Sequence, residues 1–373
     1  MFFKRATHLE KRVLVARIKS NVMSMVRDKP RLTKKYFLIL AAGLVGYIFF
    51  LYLFVDVEAI IAAIQYADPL YYSLAFFAIV MNVLFHSLTW WRLLITLSIK
   101  APLKKIFSFI WIGNFVDILV PAESISGEIT RAYLLSHDSV DNTGKNTASI
   151  MSHRVIYTTT SLICFVISSI FFTMKYKMAP SLFSLTIIVL VGAMGTLSFL
   201  ALLCLKREWA WKIISSLLNL FDFILRGRWN LTQYKPKLKK TLNDFYEGLK
   251  TLGNHPLSLV WPTVFSSIAW AFKMLITVLV FISLSIDVPF SAIVVVFSII
   301  DTLQTIPLGI PGEVGIIDIT MTGLFTALGI SPVISATATI LTRIVTLWFN
   351  LLIGGIFVQW IGIKNFKGTV FRS

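Results

Sequence analysis

The chain of 373 residues is 57% hydrophobic and only 14% charged, whereas a soluble domain carries about a quarter charged residues. Several apolar runs reach the ~20 residues needed to cross a hydrocarbon core, so the sequence predicts a polytopic all-α membrane protein and excludes a soluble globular domain. The net charge of +17 does not indicate nucleic-acid binding, because the cations lie beside apolar runs and are not interleaved with stacking aromatics.

The chain begins with a basic segment ahead of its first apolar run. Residues 1–36 hold eleven Lys or Arg against two acids, Glu10 and Asp28. Segments on the cytoplasmic side of membrane spans carry such an excess of cations, which are also attracted to anionic lipid headgroups. We therefore predict that this segment is cytoplasmic.

The apolar pattern predicts six full spans and two interrupted ones in a single membrane domain, residues 37–361. Each interrupted piece contains two apolar stretches separated by proline, glycine and charged residues. The interrupted pieces are 106–135 and 290–329, and the full spans are expected at 37–55, 69–90, 150–172, 182–205, 257–284 and 333–361.

The distribution of cations predicts how the spans are oriented. With the N-terminus inside, inner segments carry 29 Lys or Arg and outer loops carry 2. This count requires each interrupted piece to enter and leave on the same side, so we expect two re-entrant helical hairpins buried among other helices. The same orientation makes the insert 206–256 and the tail 362–373 cytoplasmic, in a multi-pass protein of the cell membrane.

An amphipathic helix is predicted inside the insert, because apolar residues recur there at helical spacing. We expect this helix to lie on the membrane face or on other helices. The apolar residues are Leu238, Leu242, Phe245, Leu249 and Leu252.

The two interrupted pieces share a short motif. The first has a proline at 121 and Gly-Glu at 127–128, and the second has a proline at 307 and Gly-Glu at 312–313. Proline ends a helix because it lacks the amide donor and clashes with the preceding turn. We therefore predict helix breaks at Pro121, Pro307 and Pro311.

A second match follows each motif and indicates an internal repeat. TASIMSHRV at 147–155 resembles TATILTRIV at 337–345. The unit span–hairpin–span would then occur twice, as 69–172 and 257–361, and the cation count gives the two copies opposite orientations. Inverted repeats are common in secondary transporters, whose binding site lies where the matching helices are broken.

Charged residues at membrane depth are concentrated in and beside the hairpins. Each ionised group at the bilayer centre costs ~2.5–3.5 kcal/mol, so such a set indicates a function. The cations are Arg131, Arg154, Lys273 and Arg343, and the acids are Asp117, Glu123, Glu128, Asp301, Glu313 and Asp318.

These residues suggest a site for an anionic group. Gly127 and Gly312 permit unusual backbone angles and close approach of a ligand, and a helix beginning just after Gly-Glu would aim free amides into the site. Arginine provides the forked donors that phosphate prefers. The candidate phosphate ligands are Arg131, Arg154 and Arg343.

The acids have several candidate roles. Glu128, Glu313 and Asp318 are candidate proton or cation sites, whereas Asp117 and Asp301 are candidate hairpin partners or coupling-ion ligands. An alternative stays open, in which the arginines pair permanently with the acids and only hold the hairpins in place. Lys273 is expected to pair with Asp301 or to extend towards an interface, and two histidines, His86 and His153, are expected to be neutral polar contacts.

The quoted stretches also resemble a known family. The stretches are NFVDILVPAESISGEITRAYLL, SHRVIY and IPLGIPGEVGIID with the later TRIV. They are similar to the flippase-like transmembrane region of lysylphosphatidylglycerol synthases, and the similarity extends from about residue 37 onward. The resemblance places Gly127, Glu128, Arg131, Arg154, Pro307, Gly312, Gly315 and Arg343 on family motif positions. The chain departs from the motif at His153, Tyr157, Glu313 and Asp318, which redistributes the acids.

The residues and the resemblance together imply a lipid transporter of flippase or scramblase type. Its expected partners are membrane lipids, either an anionic phospholipid or a polyprenyl-phosphate glycolipid, and also a glycosyltransferase or lipid-modifying enzyme of the cell envelope. Because the sequence shows no ATP-binding, zinc or hydrolase motif, we expect no cofactor, no metal and downhill or ion-coupled movement.

Two other functions and the oligomeric state, including a homodimer, stay open. One is a membrane glycosyltransferase or its accessory subunit, indicated by the acidic pair Asp56 and Glu58 in the first outer loop. The other is an assembly scaffold.

Overall fold

The structure, a computed structural model, describes residues 57–120, 125–138, 143–175, 180–224, 235–304 and 310–370. The predicted basic segment 1–36 and the predicted span 37–55 lie outside these residues. Within the described ranges, every element of regular structure is a helix.

The first half of the described chain forms eight helices. They are α1 (Val57–Gln65), α2 (Pro69–Thr96), α3 (Leu103–Leu119), α4 (Ile125–Asp138), α5 (Thr143–Lys175), α6 (Pro180–Leu205), α7 (Arg207–Ile224) and α8 (Lys235–Asn254).

The second half contains five α-helices and three tighter or wider turns. A 3-10 turn at Pro256–Leu259 leads into α9 (Val260–Ser283) and α10 (Phe290–Leu303), and a second at Pro311–Glu313 precedes α11 (Ile316–Ala327). The last long helix comprises α12 (Pro332–Arg343), a π turn at Ile344–Trp348, and α13 (Phe349–Val370). π turns inside α-helices are frequent at functional sites.

Five described helices are long and apolar enough to cross a membrane. They are Pro69–Thr96, Thr143–Lys175, Phe183–Leu205, Pro256–Ser283 and Pro332–Ile361, at the positions of five of the six predicted spans. The chain is thus a multi-pass membrane protein, whereas the total span count and the orientation stay predictions.

Each interrupted piece contains two described helices that pack against each other. In the first, α3 packs against α4 on either side of residues 121–124, and in the second, α10 packs against α11. Pro121 and Pro307 lie outside the described residues, while Pro311 begins the 3-10 turn at the second break. Re-entry on the same side of the membrane stays a prediction.

The first helix of each predicted repeat ends in the same way. Ser98 after α2 and Ser285 after α9 both have φ of 58°. The next amide closes the turn in each case, Ile99 N to Leu94 O at 2.9 Å and Ile286 N to Phe281 O at 3.0 Å. This is the Schellman ending of a helix. The underlying pattern Leu-Ser-Ile-x-x-Pro occurs at 97–102 and 284–289, and in both copies its proline is the N-cap of the following helix. The shared cap supports the predicted internal duplication.

Helices α2 and α9 pack against each other in antiparallel directions. Asp68 N donates to Ser283 O at 2.8 Å, and farther along α2 the Asn82 amide donates to Ala269 O at 2.8 Å. Phe85, later still, contacts Phe265. Residue numbers rise along α2 as they fall along α9, so equivalent helices of the two predicted repeats point in opposite directions, as an inverted repeat requires.

The two predicted repeats also exchange contacts. Helix α3 of the first packs against α13 of the second, while α10 of the second packs against α5 of the first. Glycine makes the first contact close, because a Cβ at Gly354 would lie 2.7 Å from Trp111 O. Each predicted repeat therefore has an interrupted helix that packs against a helix of the other.

The predicted amphipathic helix is α8, and its apolar face packs on other helices. Leu242 and Phe245 are buried together with Ala148 of α5 and Ala210 of α7. At Gly144 a Cβ would meet Thr241 O at 2.4 Å, so α5 and α8 are in close contact. Of the two predicted placements, packing on other helices is the one observed.

Candidate functional site

A cavity of about 450 Å³ lies among the helices of both predicted repeats. Its walls come from α2 to α6 and from α9 to α13. Eight charged residues border it, namely Asp117, Glu128, Arg131, Arg154, Lys273, Asp301, Glu313 and Arg343. Sequence positions as distant as 117 and 343 therefore meet in one space.

One predicted pair in this cavity joins α4 to α5. Arg154 Nη1 lies 2.8 Å from Glu128 Oε1, and the two side chains are 22% and 21% exposed. A charge-assisted contact of this length is stronger than a neutral hydrogen bond. Arg154 can nevertheless be reached from the cavity, so an incoming anion could exchange with the carboxylate.

Asp117 joins the two helices of the first hairpin. Its Oδ1 accepts from Ser126 Oγ at 2.7 Å and from Gly127 N at 2.6 Å, and its Oδ2 lies 3.9 Å from Arg131 Nη2. An amide in the first turn of α4 is thus bound by the chain's own carboxylate. These contacts fit one of the two roles predicted for Asp117, that of a hairpin partner.

Two predictions about the first hairpin are wrong. Helix α4 begins at Ile125, before Gly-Glu rather than after it, so Gly127 N is not free for a ligand. Gly127 has no positive φ either. Glycine is required because a Cβ would lie 2.1 Å from Asp117 Oδ2 and 2.5 Å from Gly113 O. The residue permits close helix packing and not an unusual backbone angle.

In the second hairpin, the glycines do have unusual backbone angles. Gly312 has φ of 60° and Gly315 has φ of 91°, and α11 begins directly after them. Asp318 Oδ2 closes this turn by accepting from Gly315 N at 2.8 Å. An acid at this position satisfies an amide at the helix start and complements the helix dipole.

Arg343 holds this turn from the last long helix. Its Nε lies 3.0 Å from Asp318 Oδ1, and its Nη2 donates to Gly312 O at 2.6 Å. Arg343 is 9% exposed and Asp318 is 5% exposed. Of the predicted arginines, this one best fits the alternative in which the arginine holds a hairpin in place.

The side chain of Glu313, between Gly312 and Gly315, makes no polar contact with the described residues, whereas its backbone N donates to Ile310 O at 3.0 Å. It is 1% exposed, and neither Oε1 nor Oε2 has a hydrogen-bond partner among the described residues. Its φ of 49° is positive, which is uncommon for a residue other than glycine. The cavity therefore borders a buried carboxyl group with no partner in the described chain.

A further polar chain crosses the cavity from α9 to α2. Lys273 Nζ lies 2.7 Å from Asp301 Oδ1 and 3.3 Å from Tyr157 OH. The Tyr157 ring lies 5.0 Å from the His86 ring, and His86 Nδ1 is 3.2 Å from His153 Nε2. The pairing of Lys273 with Asp301 is one of the two arrangements predicted for it.

Several predicted residues lie either outside the described chain or away from the cavity. Pro121, Pro307 and Glu123 lie outside the described residues, as does Asp56 of the acidic pair. Glu58, its partner in that pair, is exposed in the first turn of α1. Other predicted residues lie beside lining residues without lining the cavity themselves. They are Gly127, Gly315, Pro311 and Asp318.

The sequence interpretation did not single out the amides that border the cavity. Asn114 of α3 donates to Asn350 of α13 at 3.3 Å, and both line the cavity. Each lies in an apolar stretch, so polarity at membrane depth was the available signal.

The chain is similar to known membrane proteins over most of its length. A profile of the family described as "Lysylphosphatidylglycerol synthase TM region" matches residues 37–354. A "UPF0104 membrane protein" of Pyrococcus horikoshii is 24% identical over 348 residues, which cover 91% of this chain and 100% of the relative.

Two further relatives have the same description. One from Methanothermobacter thermautotrophicus is 23% identical over 305 residues, covering 80% of this chain and 88% of the relative. One from Methanocaldococcus jannaschii is 26% identical over 330 residues, covering 85% and 92%. No solved structure matches the chain significantly.

Proposed function

The chain belongs to the family of lysylphosphatidylglycerol synthase transmembrane regions, and from this premise we propose that it moves an anionic lipid between the leaflets of a membrane. The lipid is an anionic phospholipid or a polyprenyl-phosphate glycolipid. Its headgroup enters the cavity while its tails remain in the bilayer. The observation that carries the proposal is the set of eight charged side chains around one cavity between helices long enough to span.

A headgroup that crosses a bilayer needs a polar path, because an ionised group at the bilayer centre costs ~2.5–3.5 kcal/mol. The cavity offers guanidinium groups from both repeats. Arg154 and Arg131 are the proposed phosphate ligands. The contact of Arg154 with Glu128 is accessible from the cavity, and the contact of Arg131 with Asp117 is long, at 3.9 Å. Arg343 is proposed to act by holding the second hairpin in place.

The inverted repeat gives a physical route for transport. If the two hairpins open to opposite sides, the same cavity can face each leaflet in turn. The antiparallel packing of α2 and α9 supports this arrangement. We propose a cell-membrane location with both termini cytoplasmic, and a lipid-modifying enzyme as a partner that supplies or consumes the lipid.

Leaflet exchange in vesicles tests the proposal. The purified full chain is incorporated into phosphatidylcholine vesicles that contain a fluorescent phosphatidylglycerol or, in a second arm, a labelled polyprenyl-phosphate sugar. A membrane-impermeant quencher then removes the outer-leaflet signal. We expect inner-leaflet label to become accessible faster with protein than without it, in at least one arm.

Two variants show whether the cavity is responsible. Arg154→Ala removes a cavity cation and should slow exchange strongly. Arg207→Ala removes a cation that pairs with Asn243 outside the cavity and should leave exchange unchanged. Exchange no faster than in protein-free vesicles, in both arms, would refute the proposal.

A further inference from the structure

The charges around the cavity do not balance. Every described cation that lines it lies within 4.0 Å of an acid. The pairs are Arg131 with Asp117, Arg154 with Glu128, Lys273 with Asp301, and Arg343 with Asp318. Glu313 has no cation partner in the described chain. Asp318 does not line the cavity but pairs with the lining Arg343, so the ionised set counted with Asp318 has five acids and four cations.

This surplus opposes the proposed cargo. A phosphate that enters must take donors away from carboxylates that already hold them, in a space with an excess of negative charge. Like charges in a poorly solvated space repel strongly, and an unpaired buried carboxylate is costly by itself. One added positive charge at Glu313 removes both costs.

The position of Glu313 suits such a group. It is 1% exposed, borders the cavity, and has both carboxyl oxygens free of hydrogen-bond partners in the described chain. It also lies between two glycines with positive φ and has φ of 49° itself, in the turn whose Gly312 carbonyl is held by Arg343. A group that is buried without a partner and held by a strained backbone is typical of a functional position.

We infer that Glu313 binds one proton when an anionic headgroup occupies the cavity, so that headgroup and proton move together. This inference rests on the proposed function and adds the coupled ion. The step is balanced: the carboxylate takes one proton from the aqueous side at which the headgroup enters, and releases it to the side at which the headgroup leaves.

A proton fits this position better than a metal cation. A metal needs several oxygen or nitrogen ligands, and no group of three His, Cys, Asp or Glu side chains among the described residues is placed to hold one. The other titratable groups around the cavity have partners: three lining acids contact cations, His86 and His153 contact each other, and Tyr157 contacts Lys273. Glu313 is the group in this set without one.

The first test measures leaflet exchange against pH, with the same pH on both sides of the vesicle. Wild-type exchange should fall as pH rises, approaching about tenfold per pH unit for one required proton. Glu313→Gln, which resembles the protonated form in shape and charge, should exchange at a rate that does not change with pH. Glu247→Gln, the same substitution at an exposed position of α8, should retain the wild-type pH dependence.

Three outcomes would overturn the inference. They are a wild-type rate that does not depend on pH, a Glu313→Gln variant with the wild-type pH dependence, and a rate that follows Na⁺ concentration when Na⁺ is replaced by choline. The failure of the proposed function is a different result, since the wild-type protein would then exchange no lipid at any pH.

A binding measurement tests Glu313 without transport. Glycerol phosphate is added to the detergent-solubilised full chain in weak buffer, and proton uptake is followed with a pH indicator. The measurement is made at an alkaline pH at which Glu313 of the empty protein and the glycerol phosphate are both ionised. We then expect about one proton taken up per phosphate bound by the wild type. Neither Glu313→Gln nor Glu313→Gly should take up a proton, and glycine also suits the positive φ at this position. Binding without proton uptake by the wild type would overturn the inference.

Discussion

Replacement of Glu313 by glycine should stabilise the protein. A residue with a Cβ in the left-handed region costs about 1–2 kcal/mol, and Glu313 has φ of 49°. A buried polar group without a partner costs about 1–3 kcal/mol, and neither carboxyl oxygen of Glu313 has a partner in the described chain. The substitution removes both costs.

The losses are smaller than these gains. Glycine costs about 0.5–1 kcal/mol in chain entropy, and removal of the two buried methylenes of Glu313 costs about 0.8 kcal/mol each. The net expectation is a gain of about 1 kcal/mol, the difference between the middles of the summed gains and the summed losses. This corresponds to a rise of a few degrees in the unfolding midpoint of a large domain.

Thermal unfolding in detergent, followed by tryptophan fluorescence, measures the gain. Glu313→Ala removes the carboxyl group but keeps the Cβ. It gains no relief of backbone strain, but it avoids the chain-entropy loss of glycine and keeps one buried carbon, so its stability should lie within about 1 kcal/mol of that of Glu313→Gly. Ser285→Gly is the matched control, since Ser285 is exposed with φ of 58° and carries no carboxyl group. Ser285→Gly should raise the unfolding midpoint only through the relief of backbone strain.

The outcome separates two views of Glu313. If Glu313→Gly lowers the midpoint, the carboxyl group makes stabilising contacts, and both its strain and its lack of a partner are refuted. If Ser285→Gly gains as much as Glu313→Gly, the carboxyl group contributes nothing to the difference.

Three other substitutions test the cavity and its supports. Gly127→Ala should destabilise by about 1–3 kcal/mol through overpacking, because the new Cβ would lie 2.1 Å from Asp117 Oδ2. Gly195→Ala, a helical glycine with open space around it, should instead stabilise by about 0.5–1 kcal/mol in the same unfolding assay. Arg343→Ala should lower the free energy of unfolding by about 3–5 kcal/mol, because it leaves a buried carboxylate unpaired. Adding Asp318→Ala to the same chain should recover part of that loss. Strictly additive losses in a double-mutant cycle would contradict the pairing. Arg154→Ala should slow leaflet exchange by about tenfold to a hundredfold, which corresponds to the ~1.5–3 kcal/mol of a charged hydrogen bond. The unfolding midpoint should change little. Equal losses of exchange and of stability would indicate a structural role for Arg154.

Much of the architecture could be predicted from the sequence because the bilayer restricts it strongly. Every backbone polar group in hydrocarbon must be satisfied within the segment, so apolar runs of sufficient length become helices. The apolar runs at 69–90 and 257–284 accordingly form long helices, as predicted. The residues at which these helices end are set by capping rather than by hydropathy. The repeated Leu-Ser-Ile-x-x-Pro pattern shows that local capping information was present in the sequence as well.

The choice of partners was not predictable to the same degree. Arg154, Arg343 and Lys273 could each pair with more than one acid at similar depth. Sequence spacing does not specify which side chains face each other when two helices are far apart in the chain. The structure pairs Arg343 with Asp318 and gives the Glu313 carboxyl group no partner among the described residues, although Glu313 belongs to the repeated motif and Asp318 does not.

Composition, apolar periodicity and the distribution of cations by themselves determined a multi-pass helical membrane protein with charged breaks, because these features reflect the transfer of single segments into a membrane. The tertiary structure decided how the breaks are used: close packing at Gly127 directs Asp117 to a helix start, and Arg343 holds the Gly312 turn. Hydrogen-bond and ion-pair partners depend on distances between segments far apart in the chain. Those distances arise only when the helices pack. The lack of a partner for the Glu313 carboxyl group among the described residues therefore follows from the fold and not from the sequence motif.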